Sequence, residues 1–193
     1  MNKQRLEAFS DGVIAILITI MVLELHSPHG ADLHALQPLL PKLLSYLLSF
    51  VYLGIYWNNH HHMLHVTKHV DGKVLWANLH LLFWLSLVPF MTSWVGEHHT
   101  EPVPAALYGT VFLFAAIAYT ILQTMIIRVD GNDSVLARAV ERDWKGKLSI
   151  ALYVAGIACA FIRPWLADLF YVAVAAIWFA PDRRIEKRVA NHS

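Results

Sequence analysis

Six apolar runs separated by short polar stretches dominate the chain: Ala8–Leu25, Leu36–Trp57, Val74–Val95, Pro104–Ile127, Leu148–Ile162 and Trp165–Ala180. A helix crossing a bilayer core about 30 Å thick needs about 17 to 25 such residues, and each run lies in or near that range. The fifth run is short and passes almost directly into the sixth across Arg163-Pro164. Proline ends the incoming helix and suits the first turn of the next, which predicts a tight helical hairpin. The predicted fold is all-α: a polytopic membrane protein with six transmembrane helices, forming one domain over residues 1–193.

Charge gives this count an independent check. The chain holds 15 Lys and Arg residues. With the N-terminus inside and six crossings, only Lys42 and Arg163 fall outside. All the others, among them Arg142 and the terminal group Arg183, Arg184, Lys187 and Arg188, fall on the cytoplasmic side. That asymmetry is a strong positive-inside signal, and dropping one span would scramble it. Both termini are expected in the cytoplasm. The outer loops instead carry acids: Glu24, Asp32, Glu97, Glu101 and Asp168.

Composition agrees with a membrane location. The chain is 57% hydrophobic with a mean hydropathy of +0.47, and its seven Trp and seven Tyr suit interfacial anchoring. A net charge of +1 gives no argument for a nucleic-acid partner. The single Cys159 lies in an apolar run, where it reads as a small buried hydrophobe. The first run ends in Leu23-Glu24-Leu25-His26 without a small-x-small cleavage site, so it is expected to stay as a helix.

On that first helix, Ile16, Thr19, Ile20 and Leu23 fall within an arc of about 100°. Asp11 projects roughly 140° from Ile16 and is expected to point into the protomer. By spacing alone, such a stripe suits lipid contact or bundle packing as well as a pore. Polar residues at a membrane edge need partners. The topology brings Ser10 and Asp11 to the same side as Trp57 and His60-His61-His62, where the second span exits, and Asn78, where the third enters. A cluster of Asp11, Ser10, Trp57, a histidine of the 60–62 run and Asn78 is therefore expected, with a structural role. The simpler alternative is that Asp11 only complements the dipole of its helix.

The words Arg5-x-x-x-Phe9-Ser10-Asp11-Gly12-Val13-x-Ala15-Ile16-x-x-Thr19 resemble the first-helix signature of the transmembrane protein 175 family. That family comprises the endolysosomal potassium channel of animals and its prokaryotic homologues. The resemblance continues through Trp57-Asn58-Asn59-His60-His61, then Trp76-Ala77-Asn78-Leu79-His80-Leu81-Leu82-Phe83, and Pro89-Phe90. It covers the first three spans.

The resemblance implies a potassium-permeable channel of weak selectivity whose first helix lines a central pore. Aligned on Ser10, Asp11 and Thr19, the tightest ring is expected at Ile16, with Thr19, Ile20 and Leu23 continuing outward. It implies a homotetramer, because animal members carry two six-span repeats and this chain one. It also implies proton permeation and a prokaryotic inner membrane. The matching motifs extend the structural polar set to Arg5, Phe9, Ser10, Asp11, Trp57, His60, His61, Trp76 and Asn78.

Twelve histidines raise a metal reading. His61 and His65 stand at i,i+4, as divalent-metal ligands often do. No Cys and no intramembrane carboxylate is expected beside them, and His26, His29 and His34 read as loop residues. No metal site and no cofactor is expected; potassium is the permeant ion. The spans lack H-E-x-x-H, G-x-S-x-G and a phosphate-binding glycine loop, so an enzyme is not expected. T-V-G-Y-G is also absent, which leaves selectivity to an apolar constriction and Thr19. The rival reading is a proton-coupled secondary transporter that uses Asp11 and the His60–His62 cluster as a relay. Mid-span acids and Gly/Pro-broken helix pairs, the usual marks of that class, are missing.

Overall fold

The computed structural model describes residues 3–28, 30–140 and 144–179. The loop reading of His29, the charges at Arg142, Arg183, Arg184, Lys187 and Arg188, and the last residue of the sixth run, Ala180, lie outside these. The described chain is helical throughout: α1 (Lys3–Leu23), a 3₁₀ segment (Leu33–Leu39), α2 (Leu40–Val66), α3 (Gly72–Ser86), α4 (Val88–Glu97), α5 (Pro102–Asp130), the short α6 (Val135–Val140), α7 (Trp144–Ala160) and α8 (Pro164–Phe179). Four stretches are long and apolar enough to cross a membrane: Lys3–Leu23, Leu33–Val66, Gly72–Glu97 and Pro102–Asp130. Pro164–Phe179 is a shorter apolar helix.

The boundaries move where polar chemistry overrides hydropathy. Leu36 falls not in an α-helix but in the 3₁₀ segment, which Asp32 caps by accepting the Ala35 N–H at 3.0 Å. At its other end α2 continues past Trp57 to Val66, so His60, His61 and His62 are helical. Two groups close it there. The Thr67 hydroxyl donates to the Met63 carbonyl at 2.8 Å, and Lys3 Nζ donates to the carbonyls of His65 and Thr67 at 2.8 and 3.1 Å. A cation on orphan C-terminal carbonyls is favourable in both charge and hydrogen bonding.

The predicted third span is two helices, broken at Leu87. Pro89 cannot donate to the carbonyl four residues earlier, so α4 begins afresh with proline in its first turn. The Leu87 N–H closes the break by donating to the Trp84 carbonyl at 3.2 Å. Asp71 caps α3 by accepting the Val74 N–H at 2.9 Å. The connection from α2 to α3 is pinned by α5: the Asp130 carboxylate accepts the N–H groups of Lys68 and His69 at 2.8 and 3.0 Å.

α5 is the central post, packing on α3 and α7, and α7 packs on α8 as the expected hairpin. Its turn is closed by Ile162 and Arg163 N–H groups donating to Cys159 O at 3.0 and 2.9 Å. Apolar side chains gain little from meeting one another in lipid, so close backbones and satisfied polar groups matter more. Both are present. Ser49 Oγ lies 2.9 Å from Tyr108 Oη and 2.7 Å from Thr92 Oγ1, linking α2, α5 and α4. Tyr52 Oη donates to the Tyr171 carbonyl at 2.6 Å, and Tyr171 Oη donates to the Ala105 carbonyl at 3.1 Å. The Tyr171 ring lies against Gly109 of α5 and Gly156 of α7.

Candidate functional site

α1 sits at one edge of this bundle, packed on α2, α3 and α4. Leu6, Ser10, Ile14, Leu17 and Met21 are buried, spaced three or four residues apart on one face. The opposite face is bare. Ile16 is 57% exposed, Ile20 40% and Leu23 75%, and Thr19 is exposed with them. The Thr19 hydroxyl donates to the Ile16 carbonyl at 2.8 Å. The proton therefore faces the helix and the oxygen lone pairs stay free to accept. Thus the four residues predicted as a stripe do share one face, and no other part of the described chain covers it.

The buried face carries a polar relay through apolar packing. Ser10, His60 and Asn78 are fully buried. Ser10 Oγ donates to the Leu6 carbonyl at 2.9 Å, Asn78 Nδ2 donates to Ser10 Oγ at 3.0 Å, and His60 Nε2 lies 2.7 Å from Asn78 Oδ1. Because the Ser10 proton is already engaged, Ser10 can only accept from Asn78. That fixes the amide orientation and makes His60 Nε2 the donor to Oδ1. His60 Nδ1 is left as a bare acceptor, the one buried side-chain polar atom without a partner among the described residues.

Replacing Asn78 with Leu strands the His60 N–H and one Ser10 lone pair in the core. Thermal unfolding in detergent is expected to show a loss of about 2 kcal/mol. Trp76→Phe, on the outside of α3, is expected to stay within about 0.5 kcal/mol of the parent.

A second polar group lies beside the first, half-buried. Trp57 Nε1 donates to Asp11 Oδ1 at 3.1 Å, and His61 Nδ1 lies 3.0 Å from Glu7 Oε1. The His61 ring stacks on Trp57 and on His65, with centroids 6.0 and 6.3 Å apart. The expected cluster thus resolves into two. Ser10, His60 and Asn78 form one, and Asp11, Trp57 and His61 form the other, joined by Glu7. Asp11 and His60 belong to different hydrogen-bonded sets, and the histidine of the 60–62 run that stands beside Asp11 is His61.

Arg5 and Phe9 lie on the exposed face of α1, and Trp76 is 75% exposed on α3. None of the three makes a hydrogen bond within either cluster. Glu7 was missed: it matches no motif, and its pairing depends on how α1 and α2 are set against each other. The i,i+4 spacing of Glu7 and Asp11 was the available signal. Contrary to the expectation of no carboxylate beside His61, folding brings two there, Glu7 and Asp11. At the other end of α1, Glu97 forms a 2.8 Å ion pair with Lys42. Part of the acidic charge on the loops expected outside is therefore neutralised, while Glu24 stays exposed.

The family model described as endosomal/lysosomal potassium channel TMEM175 matches residues 5–89, the stretch that holds both clusters and the exposed stripe. The chain is 56% identical over 192 residues to a protein named potassium channel from Chryseobacterium sp. (strain P1-3), covering 100% of both chains. It is 34% identical over 96 residues to human endosomal/lysosomal proton channel TMEM175, covering 43% of this chain and 19% of the human protein. The fold matches the crystal structure of a lysosomal potassium-selective channel TMEM175 homolog from Chamaesiphon minutus. There the TM-score is 0.80 at 28% identity, over 93% of this chain and 97% of the other. The chain belongs to the family of the endosomal/lysosomal potassium channel TMEM175.

Proposed function

We propose that this protein is a potassium-permeable, weakly potassium-selective cation channel. In this reading it is a homotetramer in a prokaryotic inner membrane, with six spans per chain and both termini cytoplasmic. The observation that carries the proposal is the bare apolar stripe on α1, in a chain whose relatives are named potassium channels. Four copies turned about an axis would stack rings of Ile16, Thr19, Ile20 and Leu23. Branched apolar rings gate by excluding water, and their diameter sets how much of its hydration shell an ion must lose. Thr19 is the one polar ring. With its proton tied to the Ile16 carbonyl, its oxygen turns lone pairs toward a cation. A single hydroxyl layer compensates a dehydrated ion only partly, so selectivity is modest.

The buried Ser10–Asn78–His60 relay and the Asp11–Trp57 bond hold the pore helix against α2 and α3, a structural role that needs no cofactor. Proton permeation belongs to the same reading, since animal relatives are named proton channels.

Potassium-gradient-driven flux in liposomes holding the purified protein tests the proposal, with valinomycin reporting total capacity. Rapid flux that carries net charge without any counter-substrate is expected. Flux that starts only with a proton gradient or second substrate would instead establish the coupled transporter.

A further inference from the structure

We propose that Glu7, Asp11 and His61 form a binding site for a zinc-class divalent metal ion, bridging α1 and α2. One carboxylate oxygen from each acid and one ring nitrogen of His61 all lie within 4.8 Å of one another. Ligands of one tetrahedral zinc, each about 2.0–2.1 Å from the ion, stand roughly 3.3–3.5 Å apart. The three donors therefore need only small side-chain adjustments.

The backbone places them without strain. Glu7 and Asp11 are one turn apart on α1 and share a face. His61 comes from α2, its ring held between Trp57 and His65. Trp57 Nε1 occupies Asp11 Oδ1 and orients that carboxylate, leaving Oδ2 free. Such an outer-shell donor is what metal sites commonly use to aim a ligand. The 3.0 Å contact of His61 Nδ1 with Glu7 Oε1 already holds the two first ligands together. A metal ion would take the place of the proton between them. His65, one turn beyond His61, or a water could complete four-coordination.

The donor set chooses the ion class. Imidazole with two carboxylates suits zinc and its neighbours; calcium and magnesium prefer all-oxygen shells, and the absence of thiolate disfavours copper(I). All three residues are half-buried, so the ion can enter from water yet is partly shielded once bound. Binding here does not depend on conduction, and it can be measured on a protein that passes no current.

The test uses Zn²⁺ alone on the full-length protein in detergent, after chelation, titrated against a chromophoric competitor. One tight zinc per chain is expected, together with a rise in unfolding temperature on zinc addition. Glu7→Gln and His61→Asn should each weaken that zinc at least about tenfold and abolish the temperature rise. A His98→Asn, His99→Asn double variant should retain both. Glu7→Gln keeps the size and hydrogen-bonding capacity of the side chain, so it decides the matter if the His61 variant does not fold. Absence of a tight zinc in the parent would overturn the proposal. So would unchanged affinity in Glu7→Gln, or loss of the zinc in the His98, His99 variant.

Discussion

Ile16→Asn is expected to raise potassium flux into liposomes at least about tenfold and to bring the potassium-to-sodium ratio toward one. The reason lies in what four branched apolar side chains would do around the axis of the proposed tetramer. They cannot replace the water an ion sheds, so such a ring is a barrier for as long as it is narrow. An amide of similar size supplies donors and acceptors in its place. Every 1.4 kcal/mol removed from the barrier is about tenfold in rate, and one recovered ion–dipole contact per subunit readily exceeds that. The same wetting removes the size-dependent dehydration that favours potassium.

The comparison that makes this result specific is Ile14→Asn, two residues earlier. Ile14 is 1% exposed on the packed face, so there the amide should cost folding and give little protein rather than more current. Equal flux in Ile16→Asn and the parent would place Ile16 against lipid and sink the pore assignment.

How far the sequence could carry this picture depended on whether a feature was local to one helix. The stripe on α1 was legible because helical periodicity alone decides which residues share a face. The polar set was half legible. Hydropathy and charge put Ser10, Asp11, Trp57, His60 and Asn78 on one side of the membrane. They could not show that Ser10 and Asp11, about 100° apart on the same helix, must take different partners. Ser10 turns to Asn78 and Asp11 to Trp57. The pairing of Glu7 with His61 depends on the setting of two helices separated in sequence, which no window reports. The break at Leu87 was visible in Pro89 but hidden by averaging across an apolar run. Gly109 and Gly156 carried no signal, because a glycine in a membrane helix acquires meaning only when the ring that lies on it is known.

That ring supplies the second large expected effect. Gly109→Ala should lower stability by about 3 kcal/mol, near the upper end for overpacking a well-filled core, and Gly109→Val should prevent accumulation of folded protein. A Cβ on Gly109 would collide with the hydroxyl and the hydroxyl-bearing carbon of Tyr171, and Cε1 of the same ring would stand 2.7 Å away. The ring has no retreat. Tyr171 is fully buried, its carbonyl is held by Tyr52 Oη at 2.6 Å, and Gly156 closes on the ring from α7. Relief therefore requires separating α5 from α8, which also breaks the Tyr171 bond to Ala105. Coupling is the decisive observation. Tyr171→Leu alone should destabilise through the lost hydrogen bond and the space left behind. Combined with Gly109→Ala it should cost less than the two separate losses together, by about 1–3 kcal/mol. Chemical or thermal unfolding of the four proteins in one detergent measures this. Strict additivity would mean that Tyr171 does not lie on Gly109, and the packing of α8 against α5 would have to be redrawn.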